Sequence, residues 1–290
     1  MARRLVAAGL GALVALTTAC TGSSDGSAGT TSPRVSTSTA SPSPSTSPRT
    51  ARPSKALARS LGRVIGDHPE ADIAVAWAPV GTEGGVQVVG DAQPLVAWST
   101  IKVPLSLAVV RAGHGEQMGP DIDRALTASD NEAAARLWAD LGSGHRAAKA
   151  VEVQLQRGRD RRTGVPPTVT VAGYSPFGQS TWRLTDQTRF TAALPCLAGS
   201  TSITQAMGRV ADGQRWGLGG IDGARYKGGW GPTPGGYVVR QLGIVTGAKG
   251  ATAVTLQVRT GNHQEGTAVA DELVEALRSH RGDLPTGHCP

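Results

Sequence analysis

The chain has 290 residues, room for one large domain or two small ones, and carries a formal net charge of +7. Only two Phe and three Tyr are present. Its basic residues, including the run Arg157-Gly-Arg159-Asp-Arg161-Arg162, are not interleaved with aromatics, which argues against a nucleic-acid surface. The excess charge reads as a solvated basic exterior, suited to residence near anionic polymer or lipid.

Residues 1–19 read as an export signal. Arg3 and Arg4 form a positive start, and Leu5 to Leu16 form an apolar stretch too short to span a bilayer. Thr17-Thr18-Ala19-Cys20 closes it and resembles a bacterial lipoprotein signal, with Thr17 where Leu is usual. That resemblance implies a lipid on Cys20 and an extracytoplasmic domain held at the cell membrane; the alternative is a secreted protein cut after Ala19. Lipidation also accounts for the odd count of three cysteines, leaving Cys196 and Cys289 to pair in an oxidising compartment. Residues 20–53 are almost entirely Ser, Thr, Pro, Gly and Ala, cannot bury a core, and read as a disordered tether of roughly 30 Å.

The folded domain is expected over 54–290. Leu57, Leu61, Val64 and Ile65 recur with helical period. Residues 71–78 and 86–89 read as two strands of a hairpin turning at Gly84-Gly85. A helix follows from Ser99 to Gly113. Pro104 is awkward within it, because its ring would meet the carbonyl of Thr100 and distort the first turn. Residues 121–215 look mostly helical, with loops near 158–180 and several candidate caps over 180–186. Two β-rich runs, 237–245 and 251–258, and a final amphipathic helix over 267–277 complete the chain. Both ends therefore supply strands to one antiparallel sheet, and a helical block of about 103–215 is inserted between them. The fold class expected is α/β (α+β), with that sheet flanked by helices.

Within this order stand Ser99-Thr-Ile-Lys102, Ser129-Asp130-Asn131 and Lys227-Gly228-Gly229. On a helix, residues three apart share a face, so the Lys102 amine can reach the Ser99 hydroxyl as its base. An exact Ser-Asp-Asn arises by chance in about one chain in twenty of this size. Together, and in this order, the three segments resemble the signatures of the penicillin-recognising serine enzymes, the class A β-lactamases and D-alanyl-D-alanine peptidases. The resemblance covers residues of about 55–280. It implies a β-lactamase/transpeptidase-like fold and an acyl-enzyme hydrolase acting on β-lactams or D-alanyl peptides of the cell wall. Ser99 would be the nucleophile, Lys102 the base and Ser129 the proton relay. Asn131 would hold Lys102 and the substrate amide, and Lys227 would offer charge to a substrate carboxylate. The backbone N–H groups of Ser99 and Trp230, beside Gly229, would form the oxyanion hole. Arg240, on the next strand, is either a second carboxylate anchor or a surface arginine. Trp98 and Trp230 either wall the site or belong to the core, and the Ser129 segment taken alone reads equally as a helix cap.

Three departures temper the resemblance. Gly228 stands where the family has Thr or Ser, removing a hydroxyl that binds carboxylate; Thr233 or Arg240 could compensate. Ser99 and Ser129 are only thirty residues apart, so the helical block is shortened and the site more open. The deacylating glutamate of class A enzymes has its nearest match in Glu152-Val-Gln-Leu155-Gln156, which reads as helix surface. The expectation is an acylating site with slow deacylation. The competing function is a non-catalytic wall-binding or regulatory lipoprotein that retains the fold; a solute-binding lipoprotein would need none of the three signatures. The six histidines have no ligand spacing and no phosphate loop is present, so no metal or cofactor is implied.

Overall fold

A computed structural model describes residues 53–83 and 85–290. The export signal, Cys20, nearly all of the Ser/Thr/Pro tether and Gly84 lie outside the described residues. Among the described residues no helix is long and apolar enough to cross a membrane.

Helix α1 (Lys55–Asp67) starts at Ser54, whose hydroxyl accepts the N–H of Leu57 as an N-cap. Strands β1 (Asp72–Pro79) and β2 (Gln87–Gly90) form the expected hairpin. Strands β5 (Arg225–Thr233), β6 (Gly236–Gly247) and β7 (Gly250–Thr260) follow the helical block. The sheet runs β2-β1-β7-β6-β5 and every pairing is antiparallel. β5 is therefore an edge strand.

Strand alternation divides the sheet into two faces. Ile73, Val75, Trp77, Val239, Val254, Leu256 and Val258 point to one face, where α1 and α8 (His263–Ser279) cover them. The other face carries small residues, among them Ala74, Ala76 and Ala253. These small residues let the inserted block approach closely. That block holds α2 (Lys102–Arg111), α3 (Gly119–Thr127), α4 (Asn131–Asp140), α5 (Gly144–Arg157), α6 (Leu184–Ala193) and α7 (Ser200–Met207). Only α2 and α3 fit between Ser99 and Ser129, which is the shortening expected from the spacing.

Two differences from the sequence reading bear on the site. A two-stranded sheet, β3 (Leu95–Val96) with β4 (Thr181–Trp182), ties the segment before Ser99 to the segment before α6. Two-residue strands carry no period from which to be read. The helix expected from Ser99 begins instead as a 3-10 turn, Trp98–Ile101, and becomes α-helical only at Lys102. Pro104 thus falls in the first α-helical turn, where a missing N–H costs nothing and the fixed φ is already helical.

Cys196 and Cys289 are joined, with sulfurs 2.13 Å apart and a sequence separation of 93. The bond holds the C-terminal tail beside the end of α6, and Gly287 pairs with Ala251 next to it.

Candidate active site

The site forms where the 3-10 turn carrying Ser99, the Ser129 loop and the edge strand β5 meet. Two of its residues sit in strained backbone: Trp98 has φ +47° and Ser129 φ +58°, a region unfavourable for residues with a Cβ. Such conformations persist where surrounding contacts over-determine them. For Trp98 the contact is β5. A methyl group at Gly231 would stand 2.6 Å from the indole, and one at Gly229 would stand 2.8 Å from Ser99 N. Glycine at both positions is what allows the turn to lie directly on the strand.

Lys102 is 1% exposed, and its amine is fixed by three oxygens. Nζ donates to the Ser129 carbonyl at 2.5 Å and to Asn131 Oδ1 at 2.7 Å, and lies 3.4 Å from Ser129 Oγ. Burial brings its pKa down to about 7, partly offset by the negative charge of Asp130. Lys227 is also 1% exposed. Its Nζ donates to Ser129 Oγ at 2.9 Å and to the Gly228 carbonyl at 2.7 Å. Burial, then the neighbouring Lys102, pushes it well below the ordinary lysine value. The Ser129 hydroxyl consequently lies between two amines. The expectation of a more open site does not hold at the lysines, which are both enclosed.

Ser129-Asp130-Asn131 satisfies both readings made of it. Asp130 caps α4, its Oδ1 accepting the N–H groups of Glu132 and Ala133, while Ser129 and Asn131 turn inward to Lys102. Ser99 is half-buried, and its Oγ makes no hydrogen bond among the described residues. The structure therefore brings Ser99, Lys102, Ser129, Asn131 and Lys227 into one cluster without closing the Ser99–Lys102 bond. Helical spacing overstated that bond, because the first turn is 3-10 and Lys102 is already held by the Ser129 loop.

The Gly228 carbonyl is bonded by a side chain. In an antiparallel strand the N–H and C=O of one residue point the same way, and every second residue repeats that direction. The Trp230 N–H accordingly lies on the same free edge of β5, and Ser99 N faces the strand at Gly229.

Two expectations are corrected, those for Arg240 and Thr233. Arg240 neither anchors a substrate nor lies on the surface. It is 0% exposed and pairs in register with Gly229. Its guanidinium donates to the carbonyls of Leu95, Val96 and Trp182 and to Gln187 Oε1. Gln187 in turn donates to Thr100 Oγ1 at 3.0 Å, and Thr100 Oγ1 to the Ala97 carbonyl at 2.5 Å. Burial lowers Arg240 to about 9, which leaves it charged at neutral pH. Thr233 is engaged in the β5–β6 turn, donating to the Gly236 carbonyl. Neither residue replaces a hydroxyl at 228. The space beside Gly228 is taken by Trp216, whose ring would lie 3.1 Å from a methyl group there. Trp98 is 9% exposed and stacks edge-on against Tyr174, a packing role. Trp230 is half-buried against Trp216 and His263. Glu152 lies on α5, accepting the N–H of Val165 and pairing with Lys149.

Sequence reasoning missed Gln187, Thr100 and Trp216. Thr100 lies inside the Ser99 segment and Gln187 follows the capping residues before α6, but neither has a local signal for a contact 87 residues away.

Known structures agree with this architecture. The chain is similar to a β-lactamase from Sphaerobacter thermophilus at 16% identity, over 79% of this chain and 98% of that one, with a TM-score of 0.58. It is similar to the TLA-3 extended-spectrum β-lactamase at 15% identity, over 78% and 98%, with a TM-score of 0.62. It also resembles a PBP-A variant, solved as an acyl-enzyme complex with penicillin G, at 16% identity over 82% and 100%, with a TM-score of 0.60. No family profile and no curated protein sequence matches the chain. The fold is that of the penicillin-recognising serine enzymes, shared by class A β-lactamases and PBP-A.

Proposed function

We propose that the domain is a serine acyl-enzyme hydrolase of β-lactams or D-alanyl cell-wall peptides, with slow deacylation, carried on an extracytoplasmic lipoprotein. The observation that carries this reading is the buried Lys102 amine, brought down to about 7 and held beside Ser129 and Asn131 next to Ser99. A neutral amine has two N–H donors and one lone pair. The Ser129 carbonyl and Asn131 Oδ1 take the donors, which leaves the lone pair for a hydroxyl proton. On rotation of the Ser99 side chain, Oγ attacks the carbonyl and its proton passes to Lys102 Nζ. The backbone N–H groups of Ser99 and Trp230 take the developing oxyanion. The proton then reaches the leaving nitrogen through Ser129 Oγ, and an acyl ester remains on Ser99. PBP-A, of the same fold, has been captured as such an ester with penicillin G. Slow hydrolysis of the ester is expected because Glu152, the nearest match to a deacylating glutamate, lies on α5 bonded to the Val165 N–H and Lys149 and has no contact with the Ser99 cluster among the described residues.

A fluorescent penicillin and intact-mass analysis test the acylation. The expected result is one covalent adduct, absent in Ser99→Ala, with a lifetime long enough to isolate. If no β-lactam and no acyl-D-alanine ester gives an adduct, the non-catalytic binding reading stands. That reading is favoured by one observation, the Trp216 ring packed against Gly228. The anchor is tested separately. Cys20→Ala is expected to move the protein from the membrane fraction to the medium and abolish palmitate labelling; an unchanged distribution would refute it.

A further inference from the structure

The basic run that the proposed reaction does not use forms a defined cleft. Gly158 ends α5, and a side chain there would strike the Phe190 ring at 2.3 Å, so the chain turns tightly against α6. Arg159 adopts φ +69°, a costly conformation for a non-glycine residue. Asp160, 1% exposed, fixes the turn by accepting the N–H groups of Arg162 and Thr163 on Oδ1. This local structure fans the arginines of the run outward over α6 and the end of β1.

Arg159, Arg161 and Arg189 line a cleft of about 260 Å³, with Ala78, Val86 and Ala192 as its small apolar walls. Glu83 is the one carboxylate among the lining residues. Asp186, 3% exposed, compensates Arg189 through Nη1 at 2.6 Å, but it also binds both forks of Arg162, at 2.7 and 3.0 Å. Among the described residues Arg159 donates only to the Thr82 carbonyl, and Arg161 is exposed with no hydrogen bond or ion pair. Guanidinium donors thus converge on a small recess with too few acceptors to engage them. Asp186 already shares its two coplanar oxygens between Arg162 and Arg189; a tetrahedral phosphate has oxygens pointing toward several guanidiniums at once.

We propose that this cleft is an anion site, separate from the Ser99 centre, that takes a phosphate group borne on a phosphomonoester or phosphodiester. The same chemistry is offered by lipid headgroups and by free or polymer-bound phosphate. The inference does not depend on the domain being an enzyme.

The test uses the full-length mature chain carrying Cys20→Ala, so that a lipid anchor does not itself bind vesicles. Inorganic phosphate is titrated at constant ionic strength by calorimetry and ³¹P NMR. Saturable binding is expected, weakened about tenfold or more by Arg161→Ala and by Arg159→Ala, as expected for loss of a charge-assisted donor. Arg161 is exposed and makes no hydrogen bond or ion pair among the described residues, so its variant reads binding without a folding defect. The control Arg59→Ala/Arg63→Ala, on exposed α1 positions, is expected to bind as the parent does. Vesicles of phosphatidylglycerol, compared with phosphatidylcholine, identify the source. Arg161-dependent binding to the former assigns a lipid headgroup, and phosphate binding without it assigns a free or polymer phosphate. Absence of saturable phosphate binding, or an equal loss in the α1 control, overturns the proposal.

Discussion

Replacing Lys102 with Met is expected to slow acylation of Ser99 by about 10³-fold, the range that a positioned general base supplies. Lys102→Arg is expected to fail equally, since a guanidinium keeps its proton and cannot serve as a base. The pH dependence separates this role from a structural one. Lys102 must be neutral to accept the Ser99 proton, and burial has brought it to about 7. The parent's acylation rate is therefore expected to climb as pH rises through about 7 and then level off. An ordinary lysine would place that limb near 10.5. Stopped-flow acylation between pH 5 and 9 measures it. A flat profile, or a limb unchanged in the Lys102→Met residual activity, would exclude Lys102 as the base. Stability carries the same sign. Between about pH 7 and 10 the folded state binds fewer protons than the unfolded chain, so unfolding free energy rises with pH. Lys227, also lowered by burial, adds to the rise, so Lys102→Met is expected to reduce it rather than remove it. Tyr226, raised to about 12, acts in the opposite sense only above that window.

The parts of this molecule that were legible in the sequence are those with a repeat or a rare local pattern. Leu57 and Leu61 marked α1 by period, and the β-rich runs marked β6 and β7 within one or two residues. The three short signatures located the cluster because their chemistry depends on residue types that lie close in sequence. What was not legible depends on what lies across the sheet from a residue. Alternation puts Arg240 on the same face as Leu242, but nothing local tells whether substrate, solvent or the β3–β4 pair covers that face. Likewise, Gly228 advertised a missing hydroxyl, while the Trp216 ring that occupies the space comes from an extended residue just before a short 3-10 turn, a stretch with no period. The Ser99–Lys102 spacing was read on an α-helix, and the 3-10 turn altered it.

Arg240→Met is expected to destabilise the domain by about 3–5 kcal/mol, although it removes a buried cation that has no carboxylate partner. Two effects compete. Taking the charge out of the core ends its desolvation penalty, a favourable change. Against this, the carbonyls of Leu95, Val96 and Trp182 and the Gln187 amide oxygen lose a donor, and all of these bonds but the one to Val96 are buried. Each buried acceptor left short of a donor costs about 1–3 kcal/mol, and three of them outweigh the relief. For a domain of this size the loss corresponds to roughly 10 °C in melting temperature. Arg240→Lys retains charge and three donors but not the fork, and should recover part of that loss. The side chain also joins β3 and β4 to Gln187, and Gln187 to Thr100 beside the nucleophile. Acylation of Ser99 in Arg240→Lys is thus expected to fall even at temperatures where the variant is fully folded. The same fall should appear in Gln187→Ala, which leaves the arginine in place. A surface or carboxylate-binding arginine would behave differently. It would shift melting by no more than about 1 or 2 °C, the effect of an ordinary surface change, and would weaken binding of carboxylate-bearing substrates without altering neutral ones.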